Sequence, residues 1–252
     1  MRQIRMRKII LTLMFAILWT LPAAPGRAAD LVADLSKHLV AITTGFTGSD
    51  VLLFGAVEGK GDVIIVVRGP STEIVVRKKG RVGGIWINRQ RETYKDVPAY
   101  YAVAATKPIA KLIPNSLAQT EQIGADHLRV LDQSGKVVNP ANPFFQALIR
   151  NKRRQGLFPK PVSQVAFLGR QLFRTTVYFP ANVPTGTYSV RVLLVRNEQI
   201  VGAQTIPLQV GKVGVSAEVF DFAHDFSIWY GLIAILVAGL AGWGASQVFR
   251  GR

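Results

Sequence analysis

Two uninterrupted apolar runs bracket a chain whose middle alternates over short distances. Residues 227–248, SIWYGLIAILVAGLAGWGASQV, hold no charged side chain. That stretch matches the length a bilayer core demands of a helix. Residues 9–19, IILTLMFAILW, form a shorter run behind Arg2, Arg5, Arg7 and Lys8. A basic start, a short apolar run, then Pro22, Pro25 and the small residues Gly26, Ala28 and Ala29 read as a signal peptide over 1–29. The mature chain is expected to begin at Ala29 or Asp30.

Between the runs the pattern is β. Residues 38–46 (HLVAITTGF) and 51–57 (VLLFGAV) are apolar or β-branched and end at glycine-containing turns. Residues 62–68 (DVIIVVR) are continuously apolar, as in a strand covered on both faces. Residues 73–78 and 82–88 predict a hairpin turning at Lys79-Gly80-Arg81, with Gly83-Gly84 as a bulge. Alternation sets Trp86 opposite Ile85 and Ile87, and the tryptophan is expected to be buried under neighbouring structure. Residues 97–105 predict another strand, with Pro98 near its start.

The period then changes. Residues 107–113 and 115–122 predict two short helices, the second capped by Asn115. Residues 142–156 predict a longer one, with Asn142 as cap, Pro143 in the first turn and Gly156 past the end. Phe144, Phe145, Leu148 and Ile149 make its apolar face. Strands resume at 162–167, 172–179, 187–195, 199–202 and 205–210. In PANVPTGTYSV, residues 180–190, the Pro-x-Gly-x-Tyr spacing resembles the tyrosine corner of immunoglobulin-like modules, with Tyr188 as the corner residue.

These elements predict a mainly β fold. The expected architecture is an immunoglobulin-like β-sandwich exported domain over 30–212 with a helical insert at about 106–159. A juxtamembrane segment (213–226), one C-terminal transmembrane helix (227–248) and a cytoplasmic tail (249–252) complete it. Two small β domains joined by the helical segment fit the same pattern. Export places the body in the periplasm, and Arg250 and Arg252 place the C-terminus in the cytoplasm of a single-pass inner-membrane protein.

Charge narrows the partners. The formal net charge is +16, but five of the 31 Lys/Arg lie in the leader and two in the tail. All 15 acidic residues lie between, leaving the body at 24 cations against 15 acids, a net of +9. Outside the cytoplasm such a surface suits anionic lipid, an envelope polymer or an acidic protein, and not nucleic acid. The absence of cysteine excludes disulfides and thiolate chemistry.

No nucleophile, phosphate-loop or dinucleotide motif occurs, and no motif calls for a cofactor. His38, His127 and His224 are dispersed and lack metal-ligand spacing. The clearest candidate site is a basic face. Arg77, Lys78, Lys79 and Arg81 fall on the predicted hairpin, and Arg150, Lys152, Arg153 and Arg154 end the longer helix. Their other reading is a set of solvated charges that keep strand edges unpaired. In the terminal apolar helix, Ala234, Ala238 and Gly242 fall at i, i+4 and i+8, a small-residue stripe suited to packing against another span.

The ordered strings VLLFGAV, VVRGP, VRKKGRVGGIWIN, VPAYYAV and YGLIAILVAGLAGWGASQVF resemble an alphaproteobacterial family of putative transmembrane proteins. The resemblance covers nearly the whole mature chain and implies a Gram-negative inner membrane with a periplasmic body. It also implies a membrane partner such as a sulfite-exporter-like permease, and it carries no active-site residues. The expected function is that of a non-enzymatic, membrane-anchored accessory protein docking on an inner-membrane transporter. The alternatives are a binding module for an anionic envelope ligand, lipid or glycan, and an enzyme with a dispersed site.

Overall fold

The computed structural model describes residues 30–160, 162–213 and 226–249. The expected signal peptide, most of the juxtamembrane segment with His224, and residues 250–252 lie outside the described residues.

The fold is mainly β, in three sheets. The first has four antiparallel strands: β1 (Leu31–Leu35), β3 (Gly48–Val57), β11 (Leu172–Pro180) and β10 (Ala166–Leu168), in that order. The second has six: β2 (Leu39–Ile42), β13 (Gln199–Lys212), β12 (Gly186–Arg196), β4 (Asp62–Arg68), β7 (Tyr101–Ala105) and β9 (Ser163–Gln164). Its edge strands β2 and β9 run parallel to their neighbours. The third is a long hairpin of β5 (Ser71–Val82) and β6 (Ile85–Pro98), with the short β8 (Leu131–Asp132) against its root. Strands from before and after the helical segment share the first two sheets.

Alternation decides which faces meet. In β11, Phe173, Thr175, Val177 and Phe179 are buried while their neighbours along most of the strand are exposed. Leu31, Ala33 and Leu35 do the same in β1, and Tyr188, Val190 and Val192 in β12. The rings of Tyr100, Phe179 and Tyr188 meet with centroids 5.1 to 6.0 Å apart, and the Tyr100 hydroxyl donates to the Tyr178 carbonyl at 2.8 Å. Offset and tilted aromatic pairs of this kind add to the area they bury. The Gln204 amide clips β13 to β1, accepting from Ala33 N at 2.8 Å and donating to Ala33 O at 2.9 Å.

The tyrosine corner is present. Tyr188 Oη donates to the Pro184 carbonyl at 2.6 Å, and its ring is buried. Strand β4 is buried on both faces, as its continuous apolar run predicts. The second face lies under the helical segment, whose Leu112, Ile113, Ala118 and Ile123 are buried. There Tyr101 Oη donates to Gln122 O at 2.7 Å and accepts from Gly124 N at 2.8 Å. Burial raises the Tyr101 phenol to about 12, against the lowering pull of Gly124 N and nearby arginines.

The segment contains α1 (Asn115–Thr120) and α2 (Pro143–Arg154), with single 3₁₀ turns at Ile109–Lys111 and Ala125–His127. Asn142 caps α2 as expected, its side chain accepting from Phe144 N at 2.7 Å. In α1 the cap position belongs to Pro114, not Asn115, and no side chain caps it.

The hairpin departs most from the sequence reading. Its strands run straight through Lys79–Arg81, and the turn is Gly83-Gly84, flanked by the Val82–Ile85 pair. Both glycines have positive φ, +57° and +87°, as a two-residue type I′ turn requires. Gly80 stays in the strand, with the aliphatic stem of Arg89 lying where its Cβ would be. The predicted strands 199–202 and 205–210 are one strand, β13. Strand β1, whose LVADL alternates, precedes the first strand that the sequence reading identifies.

The hairpin is also an outgrowth of the second sheet. The β4–β7 ladder ends at the Arg68–Tyr101 pair. Gly69 N then bonds Tyr100 O, and Ala99 N bonds Pro70 O, before β5–β6 pairing starts at Ser71–Pro98. One two-stranded ribbon therefore runs from Asp62 and Ala105 to the Gly83-Gly84 tip.

The last described element is α3 (Ser227–Phe249), of 23 residues. Its side chains are described at 228 and 230–243. No helix among the described residues is long and apolar enough to cross a membrane.

Candidate functional site

The two basic clusters converge. Residues 76–79 of β5 lie against α2, and between them is a groove of about 450 Å³. Its lining includes Arg77, Lys78 and Lys79 from β5, Arg150 and Arg154 from α2, and the apolar Val76, Phe144 and Ala147. None of the groove's lining residues is a carboxylate.

Helical spacing explains which cations reach it. Pro143, Ala147, Arg150, Asn151 and Arg154 follow one another around α2 at three- and four-residue steps, so they share one face. Phe145, Leu148, Ile149 and Lys152 occupy the opposite, buried face. The candidate basic face is corrected accordingly. Lys152 is no part of it. Its ammonium is buried, donates to Ala99 O at 3.2 Å and sits 5.9 Å from the Phe158 ring centre. Desolvation lowers its pKa from the usual lysine value. Arg153 also leaves the groove, binding both oxygens of Asp126 at 3.2 and 3.3 Å. Arg81 lies farther out, its Nε donating to Gly84 O at 3.2 Å across the hairpin turn. Sequence alone held the signal for Lys152, which stands seven residues after the buried Phe145 on one helical stripe.

Trp86 is the second correction. It is 66 % exposed, with Ile85 at 69 % and Ile87 at 46 %. They sit at the free end of the ribbon, past the last element that packs on it. The Gly-Gly pair before them was the available signal, since moving the turn there turns a central strand into a tip.

Other polar groups are engaged locally. His38 Nε2 meets Asp34 at 3.0 Å on the surface, and His127 Nδ1 lies 2.7 Å from Ile123 O. Among the described residues no three His, Asp or Glu side chains are grouped to hold a metal. A larger cleft of about 550 Å³ lies between β6 and residues 132–142. Its carboxylates serve the fold. Glu92 accepts from the Tyr94 hydroxyl and from Asn142 Nδ2, and Asp132 accepts from the Ser134 hydroxyl at 2.6 Å and Lys136 N at 2.9 Å. These hydrogen bonds hold the Asp132 carboxyl below the usual carboxylate range. A smaller pocket beside Arg68 and Arg191 is likewise spoken for. Arg68 binds Gln122 and Asp96, and Arg191 binds Glu121 at 3.1 Å.

Along α3, Ala234, Ala238 and Gly242 are all exposed. So are the large apolar side chains around them, from Ile228 to Trp243.

The model of a family described as putative transmembrane protein (Alph_Pro_TM) matches residues 30–251. The chain belongs to that family. Neither the curated proteins nor the solved structures hold a match to it.

Proposed function

We propose that this member of the transmembrane family is a membrane-anchored binding module whose basic groove takes an anionic ligand of the cell envelope, a phospholipid headgroup or an acidic glycan. It acts as an accessory protein and not as an enzyme. One observation carries the reading: five cationic residues from two separate elements line one groove, together with apolar side chains and no carboxylate. Solvated charges spread for solubility have no reason to converge in this way. Arg and Lys together offer fork-like and point-like donors to phosphate or carboxylate.

The anchored location rests on the family match and on the uncharged run 227–248, whose 22 residues are about what a ~30 Å hydrocarbon core asks of a helix. The described apolar side chains of α3 face outward on all sides, which in water would be costly and in lipid is natural. With the leader removed, the body stands in the periplasm of a Gram-negative cell and the C-terminus in the cytoplasm. We assign the body to the immunoglobulin-like sandwiches on the Tyr188 corner and the aromatic trio between two sheets.

The test uses the full chain in nanodiscs of neutral lipid. Dihexanoyl phosphatidylglycerol and oligogalacturonate are titrated separately, which distinguishes headgroup from glycan. Saturable binding that weakens with salt is expected for one of them. Lys79→Glu with Arg150→Glu should weaken it on the order of 30-fold, taking ~1 kcal/mol per cation. Binding that ignores this double reversal would overturn the proposal.

A second reading, docking on an inner-membrane transporter through Ala234, Ala238 and Gly242, is favoured by the exposure of that stripe on α3. Crosslinking in native membranes, with 227–248 replaced by an unrelated apolar helix, tests it. Loss of a specific crosslinked partner supports docking, and an unchanged pattern rejects it.

A further inference from the structure

The tip of the β5–β6 hairpin sets exposed apolar side chains beside a run of cations. Ile85, Trp86 and Ile87 stand free at the end of a ribbon whose last 16 positions before Glu92, residues 76–91, carry six cations and no acid. Exposed apolar side chains in a row are a liability on a protein that meets only water. Ringed by cations they match one particular surface, the interface of an anionic bilayer. Tryptophan favours the headgroup level, isoleucine the acyl boundary below it, and Lys and Arg the phosphates above.

The register of the second sheet aims this tip. Arg68, the end of β4, pairs with Ser189, and three residues earlier in β12 Gly186 pairs with Val210 near the end of β13. The ribbon therefore leaves the sheet at the same end from which the chain departs toward α3. From Val76, beside α2, the strand runs six residue steps to Val82, roughly 20 Å at ~3.3 Å each. The β12–β13 turn at Asn197 and Glu198 lies at the opposite end, beyond the Val195–Asp62 pair.

We propose that the Ile85-Trp86-Ile87 tip inserts into the outer face of the anionic membrane that holds α3, giving the body a second membrane contact and setting the basic groove at headgroup level. The inference rests on the anchored reading only in placing the body beside a bilayer. It deepens the proposed function, because a groove held at that level has phospholipid headgroups as its ligand.

The chain has no cysteine, so a single introduced thiol is labelled uniquely. Full-length Ile87→Cys and Gln199→Cys, each carrying an environment-sensitive fluorophore, are reconstituted with phosphatidylcholine vesicles with and without phosphatidylglycerol. With phosphatidylglycerol the label at 87 should shift to the blue, be quenched by lipid-borne nitroxide and be shielded from iodide, while the label at 199 stays in water. Trp86→Ser should lower membrane contact of the tip on the order of tenfold and leave binding of soluble dihexanoyl phosphatidylglycerol unchanged. A label at 87 as open to iodide as that at 199, or tip contact indifferent to Trp86→Ser, overturns the proposal. Alkaline extraction of the same vesicles reports the anchor separately. A chain that is washed off although its tip is quenched refutes the anchor and keeps the tip. A chain that is retained with its tip in water does the reverse.

Discussion

Replacing Tyr188 by Phe removes one oxygen and nothing else from the centre of the body. The ring, only 1 % exposed, keeps its places beside Tyr100 and Phe179, so no cavity opens. What is lost is the 2.6 Å hydrogen bond to the carbonyl of the half-buried Pro184. A hydrogen bond of this kind contributes about 1 kcal/mol. For a body of this size that corresponds to a fall in Tm of roughly 2–4 °C per kcal/mol. Tyr188→Ala, which also removes the ring, should cost about 3–5 kcal/mol. Tyr178→Phe is the matched control: its ring is 54 % exposed and its hydroxyl reaches Thr47 O only at 3.4 Å. That change should stay within about 0.5 kcal/mol. Thermal unfolding of the full chain in mild detergent, followed by near-ultraviolet circular dichroism, reads all three. If Tyr188→Phe and Tyr178→Phe were equally neutral, the corner bond would have no part in holding the sheets together.

Lys152 gives a pH signature. Burial holds its folded pKa below the unfolded value, so between the two the unfolded chain binds the extra proton. Stability should therefore rise with pH through that window, and the rise should be missing in Lys152→Met; denaturant titrations at several pH values below about 10, where free tyrosine begins to ionise, would show it. Asn142→Ala removes both the cap on Phe144 N and the contact with Glu92 at 3.1 Å, and should cost about 1 kcal/mol with faster amide exchange confined to the first turn of α2.

Much of the fold was legible because burial follows period. Strand β4 matched its apolar run residue for residue, and α2 obeyed its cap, its first-turn proline and its closing glycine. The tyrosine corner followed from local spacing that fixes a turn before a strand. Reading failed where two local signals competed. Lys79-Gly80-Arg81 and Gly83-Gly84 both look like turns, and only the second offers two consecutive positions free to take positive φ. That three-residue error hid the tip and put Trp86 in a core. The groove was half legible: both basic clusters stood out, but pairing a hairpin with a helix some seventy residues away is a tertiary fact. The loss of Lys152 and Arg153 from it came from helical phase and from Asp126, which no local pattern links to Arg153.

The central claim is that the hairpin and α2 build a single anion site. A double-mutant cycle tests it most directly, with Arg77→Glu on the hairpin and Arg154→Glu on the helix. Binding of dihexanoyl phosphatidylglycerol to the full chain in neutral nanodiscs is the readout. A shared site predicts that each reversal weakens binding about five-fold or more and that the two couple by roughly 0.5 kcal/mol or more. Strict additivity, or one reversal without effect, would mean that the cations lie near one another without acting as one site.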